Sequence, residues 1–304
     1  MQALDGTFAD AMRGEGADRL LRLLRTVYFQ QESTGSAEVD AAADALIAAR
    51  TLGLVELTGP GRCKLTTDGY RIGNFAKEYC NWIDGGRQLP EGVSADLIAG
   101  KRLLDVGCSL GRHLATFGRL GAHGVGIELE DSYLRLSRAF ALREGIAPPA
   151  VARATAAALP FVSGSFDVVF CRLVVNYVPV RAVLREFARV LVPGGRLVLA
   201  FGTFQEGFDF IRSAKWRGNM RTVAWRSFGL MNTVLLQLSG YQASVRAGGR
   251  MYSVHTPTWP TTGWMGRELK RQGFVMPPGG FQVNRLPVVF HALRSGSAPT
   301  RPRR

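Results

Sequence analysis

Hydrophobic spacing changes character twice along the 304 residues of this chain. Between about 17 and 75, Leu20, Leu21, Leu23, Leu24 and Val27 recur at helical intervals. A second helix is expected from about Ser36, with Glu38 and Asp40 in its first turn, where the helix dipole favours acids. It would run through Ala45, Leu46 and Ala49 and stop at Gly53. Leu54-Val55-Glu56-Leu57 and Cys63-Lys64-Leu65-Thr66 read as two strands around the turn Thr58-Gly59-Pro60-Gly61, and Thr66-Thr67-Asp68 caps a further helix. Residues 76–100, with Pro90 and Gly92, read as a linker. From 101 onward strands alternate with helices, the pattern of a mostly parallel sheet. The strands are expected at 101–106, 124–128, 150–154, 166–171 and 195–201, with helices at 109–120 and 181–191. About fifty residues, 203–252, interrupt the alternation and contain an apolar helix at 228–238. It resumes with a helix at 263–272 and strands near Phe274 and at 286–293. Residues 295–304, rich in Ser, Pro and Arg, read as a disordered basic tail.

Composition narrows the class. Apolar residues at 46% suffice for a packed core, and the longest apolar runs, such as 195–202, are far too short to span a membrane. The first ten residues lack the basic start and apolar stretch of a secretory signal. Cys63, Cys80, Cys108 and Cys171 form no CxxC pair and have no histidine at zinc-ligand spacing, so neither a disulfide framework nor a metal is expected, and a cytoplasmic location fits. The net charge of +14 is uneven: residues 205–304 hold 15 Lys+Arg against 3 Asp+Glu. Of the 38 basic residues 33 are Arg, so a compositional bias contributes. The basic third can meet RNA, an anionic small substrate or a membrane surface, and charge alone does not choose among them.

The chemistry concentrates in three stretches. Leu103-Leu104-Asp105-Val106-Gly107-Cys108-Ser109-Leu110-Gly111 is an apolar strand running into small residues and then a helix, which lets a ligand approach the backbone. Asp105 is unsuited to a pyrophosphate, the ligand such a turn receives in dinucleotide enzymes. Glu128 ends Gly124-Val125-Gly126-Ile127-Glu128, 23 residues after Asp105, where a carboxylate at a strand tip can accept from two ribose hydroxyls. The third stretch is Leu159-Pro160-Phe161 with Gly164-Ser165-Phe166-Asp167-Val168-Val169, followed by Pro193-Gly194-Gly195. Together they resemble class I S-adenosylmethionine-dependent methyltransferases, in particular the small-molecule enzymes of the ubiquinone and menaquinone type, over 101–201 and more weakly 255–294.

The resemblance implies an α/β fold: a Rossmann-like sheet with helices on both faces over 101–294, and a helical cap at 203–252. It implies S-adenosylmethionine as cofactor, held by Asp105, Gly107, Cys108, Ser109, Gly111, Glu128, Leu129, Thr155, Ala156 and Cys171. Ser109 stands where relatives have glycine. Thr155 stands where they have an acid that reads the adenine, which leaves that contact to the Thr155 hydroxyl and the Ala156 backbone. Residues 1–75 resemble the winged-helix modules that precede many small-molecule O-methyltransferases, where they dimerise and close the active site. DNA reading is the rival role, disfavoured because 36–52 offer few Arg or Lys to phosphates.

For the acceptor, Asn176 and Tyr177 follow the fourth strand, and Tyr79 and Trp82 are further candidates. The sequence from Cys171 to Pro179 lacks the paired prolines of base-amino methylating enzymes. Deprotonating an acidic hydroxyl needs a base, and His255 is the best placed by position. His113 reads as a residue near cofactor or solvent, and His123 and His291 read as structural. The insertion mixes Phe208, Phe210, Trp216, Trp225, Phe228, Tyr241 and Tyr252 with seven basic residues, Arg212 and Arg250 among them. It suits a flat or lipophilic acceptor bearing an acidic group. The expected function is therefore O- or C-methylation of a small molecule, with a homodimer through the N-terminal module. An RNA or protein methyltransferase docking through the basic third stays open as the alternative, with nucleic acid as partner, as does a DNA-binding regulator.

Overall fold

A computed structural model describes residues 7–8, 10–34, 37–38, 43–216, 220–243, 257–278, 281–282 and 287–296. The chain clusters into two compact units: Met1–Gln88 with Ser109–Thr116 and Glu130–Ala150, and Leu89–Cys108 with Phe117–Leu129 and Val151–Arg304.

In the first unit, helix α1 (Ala17–Thr34) carries the leucine stripe inward. Glu38 differs from expectation. It lies in a short strand, β1 (Ala37–Glu38), which pairs with β3 (Arg62–Leu65), and the next helix, α2 (Ala43–Thr51), begins later. Ser36 and Asp40 fall outside the described residues. Strand β2 (Val55–Gly59) completes a three-stranded antiparallel sheet in the order β1-β3-β2. Helix α3 (Thr67–Asp84) is capped by the Thr66 hydroxyl, which accepts from Gly69 N at 2.9 Å. It runs unbroken past residue 76, so the first part of the expected linker is helix. One core joins these elements to two segments from much later in the chain. Phe8, Leu24, Phe75, Tyr79 and Trp82 are buried together with Leu110 and with Leu136 and Phe140 of helix α6 (Asp131–Glu144). Apolar burial, about 25 cal/mol per Å² removed from water, is what makes this one unit.

The second unit is built on the sheet. Helix α4 (Ala95–Ile98) leads into β4 (Arg102–Val106), and β5 (His123–Glu128), β6 (Val151–Arg153), β7 (Phe166–Arg172) and β8 (Leu191–Phe201) follow; helix α5 (Arg112–Arg119), between β4 and β5 in the chain, belongs to the first unit up to Thr116. Strands β4 to β8 pair in parallel. Helix α7 (Val180–Val190) precedes β8, and helices α8 (Phe204–Trp216) and α9 (Met220–Ser239) occupy the insertion. Helix α10 (Thr262–Arg271), β9 (Phe274–Val275), β10 (Phe281–Gln282) and β11 (Val288–Arg294) end the described chain, and β11 pairs antiparallel with β8. The order is β10-β11-β8-β7-β4-β5-β6, with β9 also on β11. Pro193-Gly194-Gly195, expected as a turn before the fifth strand, lies inside β8 as an irregularity: Phe166 pairs with Leu191 and Val168 already with Arg196.

One face of this sheet is the core, with Leu104, Val106, Val169, Cys171, Leu199, Phe201 and Phe290 all buried. Two polar braces set its register. Asp167 of the Ser165-Phe166-Asp167 stretch accepts from the Arg102 backbone N–H at 2.9 Å and from its guanidinium, tying the starts of β7 and β4. That pairing holds the Asp167 carboxyl below its usual range. Glu186 and Arg189 of α7 grip the Leu159-Pro160-Phe161 loop: Leu159 N donates to Glu186 at 2.7 Å, and Arg189 donates to the carbonyls of Leu159 (2.9 Å) and Phe161 (2.6 Å). Among the described residues no helix is long and apolar enough to cross a membrane.

Candidate functional site

Strand order reverses at β4, which has β5 on one side and β7 on the other; in open α/β sheets ligands bind beyond the carboxyl ends of the strands at such a point. Asp105 is 2% exposed in β4. The chain then turns at Gly107, whose N–H and that of Cys108 both donate to Ile127 O, at 2.9 and 3.0 Å. Gly107 has φ +73°, and a Cβ there would stand 2.3 Å from Val174 Cγ2. Only glycine fits, so the loop offers bare backbone. At the tip of β5 the Glu128 carboxylate is half-buried and accepts from Leu129 N at 2.7 Å. Leu129 is half-buried beside it. Thr155 is exposed and Ala156 buried in a tight turn, where the Thr155 hydroxyl accepts from Ala157 N at 3.4 Å. Burial pushes the thiols of Cys108 and Cys171 up, reinforced by the charge of Asp105, so both stay protonated. A half-exposed carboxylate at a strand tip beside a backbone-only loop fits an adenosyl ligand.

The described part of this site matches known proteins. Residues 104–199 match a family model described as a methyltransferase domain. This segment is a class I methyltransferase domain. It resembles the ubiquinone biosynthesis O-methyltransferase of Xanthomonas oryzae pv. oryzae, with 36% identity over 110 residues, 36% of this chain and 46% of that one. The corresponding enzyme of Ralstonia nicotianae is 39% identical over 104 residues, 33% and 42% of the two chains. The chain thus matches less than half the length of these curated relatives. Among solved structures, a SAM-dependent methyltransferase from Methanosarcina mazei aligns with TM-score 0.46 and 20% identity over 64% of this chain and 92% of that one.

Beyond β7 the methyltransferase sheet carries a strained turn. Leu173 has φ +62°, uncommon for a bulky residue, and its N–H donates to Ala200 O at 2.7 Å. The turn places Val174 against Gly107 and starts a short 3-10 helix, Val175–Tyr177. Asn176 is 2% exposed and fully engaged: Nδ2 donates to the carbonyls of Gly202 and Thr258, and Oδ1 accepts from Gly202 N, each at 2.8 Å. This corrects its reading as an acceptor contact. Asn176 is the clasp joining the ends of β7 and β8 to the strand of chain before α10. Tyr177 is half-buried beside it.

The cap helices are anchored on Trp259, 2% exposed. Its indole leaves no room for a side chain at two glycines: a Cβ would be 2.9 Å away at Gly207 of α8 and 2.2 Å at Gly229 of α9. Arg226 lies 5.1 Å above the ring. Glu206 was not singled out in the sequence, although Thr203-x-x-Glu206 is a legible capping box; its carboxylate accepts from Thr203 N at 2.6 Å. Burial raises its pKa.

Of the remaining sequence candidates, Ser109, Gly111, Tyr79, Trp82 and His113 lie in the first unit, and His123 and His291 in the second. Ser109 has φ +51° and Gly111 φ +78°. Tyr79 and Trp82 are 5% and 4% exposed, with Tyr79 Oη donating to Glu144 at 2.7 Å and Trp82 Nε1 to Thr116 at 3.1 Å. That corrects their reading as acceptor residues: both are core side chains with satisfied polar atoms. Glu144, held also by Arg87 at 3.0 Å, and Tyr79 line a cleft of about 270 Å³ that further includes Asp18, Arg22 and Arg143. His113 is 8% exposed on α5. His255, the proposed base, lies outside the described residues, as do Arg250 and Tyr252 of the insertion. His123 is exposed and His291 half-buried, the latter with its pKa lowered by burial and by Arg196. Among the described residues no group of acidic, histidine and cysteine side chains could hold a metal ion.

The left-handed backbone at Ser109 yields a direct expectation. A residue with a Cβ costs roughly 1–2 kcal/mol in that conformation. Ser109→Gly is expected to raise the melting temperature by about 1–3 °C, measured by thermal unfolding, with part of the gain lost to glycine's freedom in the unfolded chain.

Proposed function

We propose that this chain methylates a small molecule, transferring to oxygen or carbon of an aromatic or lipophilic acceptor that carries an acidic group. The observation that carries the reading is the pairing, at the strand reversal, of the bare Gly107 turn with the Glu128 carboxylate. Asp105, Gly107, Cys108, Glu128, Leu129, Thr155, Ala156 and Cys171 would hold S-adenosylmethionine, with Ser109 and Gly111 continuing the same loop. Bound there, the cofactor supplies a methyl group already activated on a sulfonium. Glu128 accepts from hydroxyl donors, and the buried thiols stay neutral and inert.

The protein's remaining tasks are to align the acceptor and remove its proton. A cap anchored by Trp259 and bearing Arg226 supports an acceptor that is flat and anionic. His255 is assigned the base role by its place in the sequence, between the insertion and Pro257.

Two measurements test this. With methyl-labelled S-adenosylmethionine and a native lysate, label is expected in the organic-extractable fraction, and label found only in RNA or protein overturns the reading. Glu128→Ala is expected to weaken S-adenosylhomocysteine binding at least about tenfold by calorimetry, the worth of one charge-assisted hydrogen bond.

A further inference from the structure

Helix α9 is covered within the chain on one side only, and the opposite side is mostly apolar and exposed. Gly229, Asn232, Thr233 and Leu236 face inward and are buried, with Gly229 against Trp259. Outward stand Met220 (65% exposed), Met231 (68%), Val234 (47%) and Leu238 (85%). With the exposed Ala224 and the half-buried Ser227 these positions succeed one another at intervals of 4, 3, 4, 3 and 4 residues. That alternation is the seam of a two-helix coiled pair, which keeps one face turned to a partner along the whole helix. Single exposed leucines are ordinary on soluble proteins; a row of exposed apolar side chains along about 27 Å of helix, interrupted only at Ser227, is not.

We propose that this face is the contact between two copies of the chain, with the α9 helices packed antiparallel about a two-fold axis. Charge is the first argument. The chain carries +14, yet between Met220 and Leu238 the only charged residues are Arg221 and Arg226, and in an antiparallel pair these positions fall opposite the neutral Gln237 and Asn232, so two copies can meet here without opposing arginines. A lipid surface is the poorer occupant, because a helix lying in a membrane interface needs a charged polar side to meet headgroups, and the other side of α9 is buried in protein. The second argument is shape. A two-fold axis between Ser227 and Met231 sets Ser227 opposite Met231, Ala224 opposite Val234 and Met220 opposite Leu238. The two smallest side chains then each meet a larger one, which lets the backbones approach closely. A parallel pair would instead set Ala224 against Ala224 and Met231 against Met231, leaving gaps beside bulges.

Sedimentation of the full chain is expected to give a dimer at micromolar concentration. Met231→Glu and Leu238→Glu are each expected to give a monomer that keeps native thermal unfolding and S-adenosylhomocysteine affinity. The Met220→Cys/Leu238→Cys double variant is expected to form a covalent dimer on mild oxidation, whereas either single variant does not. The four native cysteines are buried and do not compete. A native chain that is monomeric overturns the proposal, whether or not it co-sediments with anionic vesicles. So does a dimer that survives both glutamate variants, which would place the contact on another surface such as the N-terminal module. None of these readouts depends on methyl transfer.

Discussion

Asn176→Ala is expected to destabilise the sheet-bearing unit by about 3 kcal/mol or more, seen as a fall of several degrees in the melting temperature. The substitution removes three side-chain hydrogen bonds at once and leaves Gly202 N–H, Gly202 O and Thr258 O without their partner in a buried place. Each stranded buried group costs about 1–3 kcal/mol, and the cavity left by the amide adds to this. Asn176→Asp separates the clasp from simple packing. The carboxylate keeps the acceptor toward Gly202 N but aims its other oxygen at two carbonyls. Burial and those carbonyls raise the folded-state pKa of the new acid above its unfolded value. The variant is therefore most stable below the ordinary carboxylate range and loses stability as pH rises through the folded pKa. Equal stability of Asn176→Asp and the native chain at pH 8 would refute the clasp.

Gly107→Ala carries the second large effect, and it falls on ligand binding. Two penalties add: roughly 1–2 kcal/mol for a Cβ at φ +73°, and a clash at 2.3 Å with Val174 Cγ2 that forces either that stiff β-branched side chain or the loop to shift. Because every 1.4 kcal/mol is tenfold, S-adenosylhomocysteine affinity is expected to fall by at least about tenfold. Gly145→Ala is the control. Gly145 has φ +62° but no neighbour within 4 Å, so its alanine variant bears the backbone strain alone. If both variants bind the cofactor product like the native chain, the Gly107 turn is not the binding loop.

The two expectations rest on residues that the sequence treated differently. Gly107 was legible, because a small residue after an apolar strand and an acid is a local pattern, and the backbone conformation it needs is local too. Asn176 was placed correctly along the chain, after the fourth strand, but given the wrong task. Its partners, Gly202 and Thr258, lie 26 and 82 residues away, and no local pattern announces a hydrogen bond across that distance. Tyr79 and Trp82 show the same limit. Their aromatic character suits a pocket or a core equally well, and the decision came from Glu144 and Thr116, which lie far along the chain.

By itself the sequence determined what is periodic or contiguous: the leucine stripe of α1, the alternation of strands and helices from 101 onward, the Asp105–Gly111 turn, Glu128 at a strand tip, and the displaced basic charge. The tertiary structure decided what depends on burial. It carried α3 through the expected linker, placed Glu38 in a strand, and joined the N-terminal helices to Leu110, Leu136 and Phe140 in one core. It also turned Asn176 into a clasp and showed that α9 keeps an apolar side facing out. Spacing along a chain says which residues share a face. Which face is covered depends on segments brought together from distant places, and only the folded chain brings them together.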